Sequence, residues 1–391
     1  MKPLFAERMS LLGTETAFEV LAKAKALEAQ GKDIVHLEIG EPDFDTPKNI
    51  IDAACFALTN GYTHYTPAPG IPEVRETIAE YIRSHKHVDT SLENIVIVPG
   101  GKPIMFFSIL ATVNPGDEVI YPNPGFPIYE SVIRFVGGKP VPIPLREENQ
   151  FRLDVNELAQ LITPRTKMLI INSPGNPTGG VLTNEDVKAI ADLVRGQEIL
   201  VLSDEIYDRI VYGNTQPLSI ASLPGMLDWT IILDGFSKTY AMTGWRLGYG
   251  VMPAEIADRI SQLMVNSNSC TSAFTQMAGK EALTGPQTDV DRMVAEFKQR
   301  RDLMVNGLNS IPGVSCLLPE GSFYVFPNFK SFNRNSKEIA DYLLNDAGVA
   351  CLGGTSFGSY GEGYLRFSYA NSVENIQKAL ERIETALGKL K

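Results

Sequence analysis

The chain has 391 residues, 44% of them apolar, enough for a sizeable core in two or three domains, or in one large α/β unit with a smaller companion. Its 46 acidic and 35 basic residues give a formal charge of -11. That balance excludes nucleic acid or an anionic membrane surface as a main partner, while leaving room for a local basic pocket that takes a small anion. Cys55, Cys270, Cys316 and Cys351 are scattered and form no CxxC pair, so reduced thiols in a cytoplasmic protein are expected. The opening MKPLFAERMS lacks the apolar core of a signal peptide. The longest apolar stretch, 104–113, is too short to span a bilayer. The four histidines show no metal spacing, and His85 and His87, flanking Lys86, read as solvated.

In chain order, 16–30 carries the pattern of an amphipathic helix, and 34–37 that of a short strand. From 95 onward, strand-like and helix-like segments alternate. Strands are predicted at 95–98, 118–121, 168–172, 199–203, 230–234 and 248–251, with helices at 103–113, 184–195 and 255–264. Several of the strands are continuous apolar runs, as expected when both faces are buried. The order predicts an α/β unit built on a mainly parallel sheet. Beyond the Gly285-Pro286 loop come a long helix at 291–309, a strand at 322–326, a helix at 336–346, a strand at 364–368 and a last helix from 373. These read, together with the N-terminal segment, as a smaller α+β domain. No internal repeat or low-complexity segment is present.

In open α/β sheets, ligands bind where strands end at their carboxyl edge, and four such ends here carry unusual residues. After 95–98 comes Pro99-Gly100-Gly101-Lys102-Pro103, a close-approach turn leading into a helix N-terminus suited to an anion. After 168–172 comes SPGNPTGG, whose Pro and Gly fix a rigid loop around Asn176. After 199–202 comes SDEIY. Asp204 there is a carboxylate at the end of an apolar strand, which needs a cation or a donor, and Tyr207 follows three residues on. After 230–234 comes GFSKTYAMTGWR, which supplies Lys238, with Ser237 and Arg246 suited to a phosphate. Taken singly, each has an ordinary reading: a turn, a self-bonded Asn, a helix cap, a surface lysine. There is no GxxxxGK[ST] and no strand-borne GxGxxG, which argues against a P-loop or a dinucleotide fold. A ligand that matches the four ends together has a phosphate, a basic ring atom for Asp204, a ring oxygen for Asn176 and Tyr207, and an electrophilic carbon for Lys238. Pyridoxal 5′-phosphate has all four.

The words NSPGNPTGG, SDEIYD, DGFSKTYAMTGWRLGYG, THYTPAPGIPEVR, GSFYVFP and GEGYLRFSYA, in this order and spacing, resemble the class I (and II) aminotransferases of pyridoxal-phosphate fold type I, the aspartate-aminotransferase-like group, along most of the chain. The resemblance implies that Lys238 bonds covalently to the cofactor's aldehyde carbon and that Asp204 pairs with its ring nitrogen. Asn176 and Tyr207 would reach the ring oxygen. The backbone of Gly101 and Lys102, with Ser237 and Arg246, would hold the phosphate. Arg366 would grip the substrate α-carboxylate, and Gly40 would lie over the substrate on the N-terminal segment. Tyr65 would reach the phosphate of a neighbouring subunit, so a homodimer is implied. The domains expected are 1–46 with the small domain, 47–285 for cofactor binding, and 286–391 as the small C-terminal domain. Two positions depart from the family pattern. Phe126 stands at the ring-stacking position that is often tryptophan, and the GAKQ-like turn reads GGKP, where Pro103 suits the first turn of a helix.

The implied reaction is transamination between an L-amino acid and a 2-oxo acid in two half-reactions, with Lys238 moving the substrate proton. Aspartate or glutamate is the favoured substrate, although no residue can be named from sequence as recognising its side chain; aromatic, alanine or arginine donors stay open. Two further readings also stay open: a β-eliminating lyase that shares the first steps, and a non-catalytic pyridoxal-phosphate sensor, which would normally carry an extra DNA-binding domain.

Overall fold

The structure, a computed structural model, describes residues 4–213 and 216–390; residues 1–3 of the expected 1–46 segment and residue 391 lie outside them. Twelve strands run in chain order: β1 (Val35–His36), β2 (Ile95–Val98), β3 (Glu118–Asn123), β4 (Lys139–Pro144), β5 (Thr166–Asn172), β6 (Leu200–Asp204), β7 (Thr230–Gly235), β8 (Gly248–Val251), β9 (Tyr324–Val325), β10 (Val349–Ala350), β11 (Leu352–Gly353) and β12 (Leu365–Ser368). The α-helices are α1 (Thr16–Glu28), α2 (Lys48–Thr59), α3 (Pro72–His85), α4 (Lys102–Thr112), α5 (Ile128–Phe135), α6 (Val155–Leu161), α7 (Asn184–Val194), α8 (Ala254–Ser267), α9 (Ala273–Thr284), α10 (Thr288–Ser310), α11 (Ser336–Tyr342) and α12 (Val373–Gly388).

Seven strands form the central sheet in the order β2-β8-β7-β6-β5-β3-β4. The pairs from β7 to β4 are parallel, whereas β8 runs antiparallel to both β7 and β2. The mainly parallel α/β class is therefore right, with β8 reversed. Apolar strands of this kind are buried on both faces because helices cover each side. β2 shows the partition residue by residue. Ile95 and Ile97 join a core with Ile78 of α3 and Ala278 of α9, while Val96 and Val98 join one with Ile109 of α4 and Ile260 of α8. That is the two-residue period of a strand.

The sequence reading passed over β4. Its residues KPVPIP hold three prolines, which argue against a central strand. β4 lies at the sheet edge and pairs only with β3. The N–H groups of Lys139 and of Leu145, just past the strand, bond inward to Asp117 O and Asn123 O. Helices α2, α3, α5, α6 and α9 also went unpredicted. Elsewhere boundaries moved slightly: β6 extends through Asp204, and the helix expected to 346 stops at Tyr342 before a π-turn.

The remaining strands bring the two ends of the chain together. β1 pairs in parallel with β10, joining Val35 to Val349, and β11-β12-β9 form an antiparallel sheet. Phe297 of α10 is fully buried where they meet. It packs edge-on against Phe44 at 5.4 Å and tilted by 40° against Phe323 at 5.4 Å. Arg300, one turn on, lies over Phe44 at 4.8 Å. A Phe297→Ala variant should lose about 3–5 kcal/mol of unfolding free energy, since it leaves a cavity among aromatic neighbours; chemical denaturation followed by far-ultraviolet circular dichroism measures the loss.

Candidate active site

β5, β6 and β7 end on one edge of the sheet, in register: Asn172 pairs with Asp204, and Asp204 with Leu233. Chain leaving these strands turns into the same space. Asp204 is 7% exposed. Its Oδ2 accepts the Tyr129 hydroxyl at 2.5 Å, and its Oδ1 accepts the Ile206 N–H at 3.3 Å. Burial outweighs both donors and pushes its pKa up to about 6. Lys238 lies beyond the end of β7 and donates from Nζ to the Gly40 carbonyl at 2.6 Å. Burial brings its pKa down to about 8, and Arg366 adds to the effect.

At one end of this space the chain builds an anion cradle. Gly101 caps α4 without a side-chain bond, so the helix opens with its N-terminal dipole exposed. Gly100 has φ 84°, and a Cβ there would stand 2.2 Å from Arg246 Nη2; only glycine lets the guanidinium lie against the turn. Arg246 is fixed by a bond from Nη1 to the Thr243 carbonyl at 2.8 Å. Ser237 and the first turn of α4 face the same volume.

At the opposite end, Arg366 of β12 is 4% exposed. Its Nη1 donates to Asn176 Oδ1 at 3.1 Å, and its Nη2 to the Glu38 carbonyl. Nε, although buried, has no hydrogen-bond partner among the described residues, so part of the guanidinium is left for an anion. The rings of Tyr324 and Phe357 lie 4.4 and 4.9 Å from it. The Asn176 backbone N–H bonds Asn172 Oδ1 at 2.8 Å, and the Tyr207 and Tyr324 hydroxyls meet at 2.9 Å. Tyr324 also fills the space above Gly40, where a Cβ would stand 2.0 Å from its hydroxyl.

One cavity of about 600 Å³ joins these parts. Gly40, Gly101, Lys102, Phe126, Asn176, Asp204, Tyr207, Ser237, Lys238, Arg246 and Arg366 all line it. Tyr65 does not; it is 89% exposed, away from this chain's cavity. The reading missed Tyr129, which bonds Asp204, and Tyr324. Tyr324 sits in the quoted word GSFYVFP and Tyr129 three residues after Phe126, yet sequence does not tell which way a ring turns. It also missed Glu15 and Phe18, which line the mouth. The donor set fits pyridoxal phosphate: a buried carboxylate that pairs with no lysine or arginine among the described residues, suited to the ring nitrogen, an amine of lowered pKa, and a glycine turn with Ser237 and Arg246 suited to the phosphate.

Comparison with known proteins agrees with this geometry. The family described as aminotransferase class I and II matches residues 32–383. The aspartate aminotransferase of Pyrococcus horikoshii is 41% identical over 388 residues, 99% of this chain and 98% of that protein. The aromatic-amino-acid aminotransferase 2 of Thermococcus litoralis is 41% identical over 363 residues, 92% of this chain and 93% of that protein. Among solved structures, aspartate aminotransferase from Thermus thermophilus with maleate superposes with a TM-score of 0.95 at 36% identity, covering 99% of this chain and all of that one. Similar along nearly its whole length, the chain belongs to the class I and II aminotransferases and is an enzyme of that family, dependent on pyridoxal 5′-phosphate.

Proposed function

We propose that the enzyme moves the amino group of aspartate or glutamate to a 2-oxo acid. One observation carries the substrate reading. Four cationic side chains line the cavity: Lys102, Lys238, Arg246 and Arg366. Lys238 serves the cofactor, Arg246 its phosphate and Arg366 the α-carboxylate. Lys102 is left at the mouth, paired with Glu15 and 5.4 Å over the Phe126 ring, where a substrate's second carboxylate can replace Glu15. The names of relatives and the maleate-bound neighbour, a dicarboxylate complex, support the same reading. The apolar Phe18, Phe126 and Phe357 in the lining, with one relative named for aromatic amino acids, favour aromatic donors as a second substrate class.

Bound pyridoxal phosphate supplies the conjugated ring that takes up the electron pair left when the substrate Cα loses its proton. The chain does the rest. Asp204 would hold a negative charge beside the ring nitrogen and keep it protonated. Asn176 and Tyr207 would hold the ring oxygen, and Phe126 would lie against the ring. The N–H groups at Gly101 and Lys102 would hold the phosphate together with Ser237 and Arg246. Arg366 orients the substrate through its α-carboxylate, with Gly40 above it. Lys238 carries the cofactor and then moves the Cα proton; burial keeps its amine available as a base near neutral pH.

The assembly in this reading is a homodimer in which Tyr65 reaches the phosphate site of the neighbouring subunit. Residues 1–46 and 286–391 form the small domain, and 47–285 the large one. The four cysteines are free thiols, and no described helix is long and apolar enough to cross a membrane; both fit the cytoplasm.

A panel of amino-acid donors against a few 2-oxo acids, read by the cofactor's colour change, tests the substrate assignment. Lys102→Met should raise KM about tenfold for aspartate and leave phenylalanine unaffected; equal effects on both would remove Lys102 from side-chain recognition. Arg366→Ala should raise KM for every donor by about 100-fold or more while the chain still binds pyridoxal phosphate. Below about pH 6 Asp204 takes up a proton and loses the charge that holds the ring nitrogen. Cofactor uptake by the cofactor-free protein should therefore weaken as pH falls through that value, and an Asp204→Asn variant should lose this dependence.

A further inference from the structure

A second ionic centre lies under the sheet edge, outside the cavity. Lys86 follows α3 in SHKHVD, between two exposed histidines, yet is itself buried at 8% exposure. His87 takes φ 56°, in the left-handed region, as the chain turns after the helix with Lys86 facing inward. The Lys86 ammonium meets Glu205 Oε2 at 2.8 Å, Asp234 Oδ2 at 3.1 Å and Asp208 Oδ2. Two of the carboxylates are pinned by further donors. Glu205 Oε1 accepts Ser203 Oγ at 2.8 Å and Ser219 Oγ at 2.7 Å. Asp234 accepts the Gly235 N–H at 2.7 Å and the Tyr249 hydroxyl at 2.9 Å.

Each carboxylate is a near neighbour in the chain of a cavity residue. Glu205 follows Asp204, Asp208 follows Tyr207, and Asp234 stands four residues before Lys238. In a strand, successive side chains point to opposite faces; at the end of β6, Asp204 turns to the cavity and Glu205 to Lys86. We propose that Lys86 is a positioning residue for the transamination, its single ammonium tying together from beneath the two segments that deliver the cavity residues, the turn 204–208 with Asp204 and Tyr207 and the end of β7 that leads to Lys238.

The charges around the centre agree. Burial opposes the Lys86 charge, but Asp208, Asp234 and Glu205 outweigh it and hold the ammonium well above its ordinary pKa. Burial raises the Asp234 carboxyl above its usual range, and the Lys86 ammonium pulls it back down. Tyr81 of α3, Tyr240 and Tyr249 face the same carboxylates, as does Arg209, which bonds the Tyr81 hydroxyl at 3.4 Å. Without Lys86 the three acidic groups are left repelling one another in a buried space, and the strand ends that carry them lose their common anchor.

The test compares the wild-type holoenzyme with Lys86→Met and with Lys86→Gln/Asp208→Asn, which removes the cation and one anion together and so protects the fold. Visible circular dichroism of the bound cofactor reports how asymmetrically it is held. At temperatures well below melting, Lys86→Met should lose at least about half of that signal, bind pyridoxal phosphate about tenfold more weakly and lose about tenfold in kcat, with KM for the amino acid little changed. The double variant should show the same loss of visible signal, because the tether is gone there too; it carries the test alone if Lys86→Met does not fold. A folded variant with wild-type visible dichroism and cofactor affinity, altered only in melting temperature, overturns the proposal. The inference rests on the roles given above for Asp204 and Lys238. If Asp204→Asn and Lys238→Ala also leave the visible signal unchanged, that assignment is what fails.

Discussion

Asp204 is a carboxylate at the end of a buried strand, and among the described residues no lysine or arginine pairs with it. Tyr129 and one backbone N–H are its hydrogen-bond donors, and burial holds its pKa at about 6. A soluble fold keeps such a group only where something compensates it. In the function proposed above the compensation is external, a protonated ring nitrogen that would arrive with the cofactor. The rest of the cavity is laid out from that fixed point: the turn of Gly100 and Gly101 with Ser237 and Arg246 at one end, and Arg366 at the other.

The cavity is shared between parts of the chain far apart in sequence. The central sheet gives Asp204 and Lys238. β12 gives Arg366, which is held by the Glu38 carbonyl and by Asn176. The segment after β1 closes the top through Gly40, whose carbonyl accepts the Lys238 amine. Because both Glu38 and Gly40 act through backbone carbonyls, two residues apart, a shift of this one segment reaches Arg366 and Lys238 at once.

Much of this could be read from the sequence, for a physical reason. Strands buried on both faces leave continuous apolar runs, and the parallel rule puts their carboxyl ends on one edge, so Asp204, Asn176 and Lys238 could be gathered without coordinates. Arg366 and Gly40 needed the resemblance, since no periodicity connects residue 366 to residue 40. Tyr129 and Tyr324 escaped because ring direction depends on packing. Lys86 escaped more completely: between two histidines in a polar turn it reads as surface, and only the tertiary fold reveals three carboxylates around it. β4 escaped because its prolines argued against a strand, a rule that relaxes at an edge.

Those prolines have a consequence of their own. In β4 the odd-numbered positions face β3 with their N–H groups, as the bonds of Lys139 and Leu145 indicate. The even-numbered positions, 140, 142 and 144, look outward, and each is proline. The open margin of the sheet thus offers no outward amide hydrogen along its length. An incoming strand from another molecule finds carbonyls but no donors, so this border is protected against edge-to-edge growth and the aggregation that follows from it.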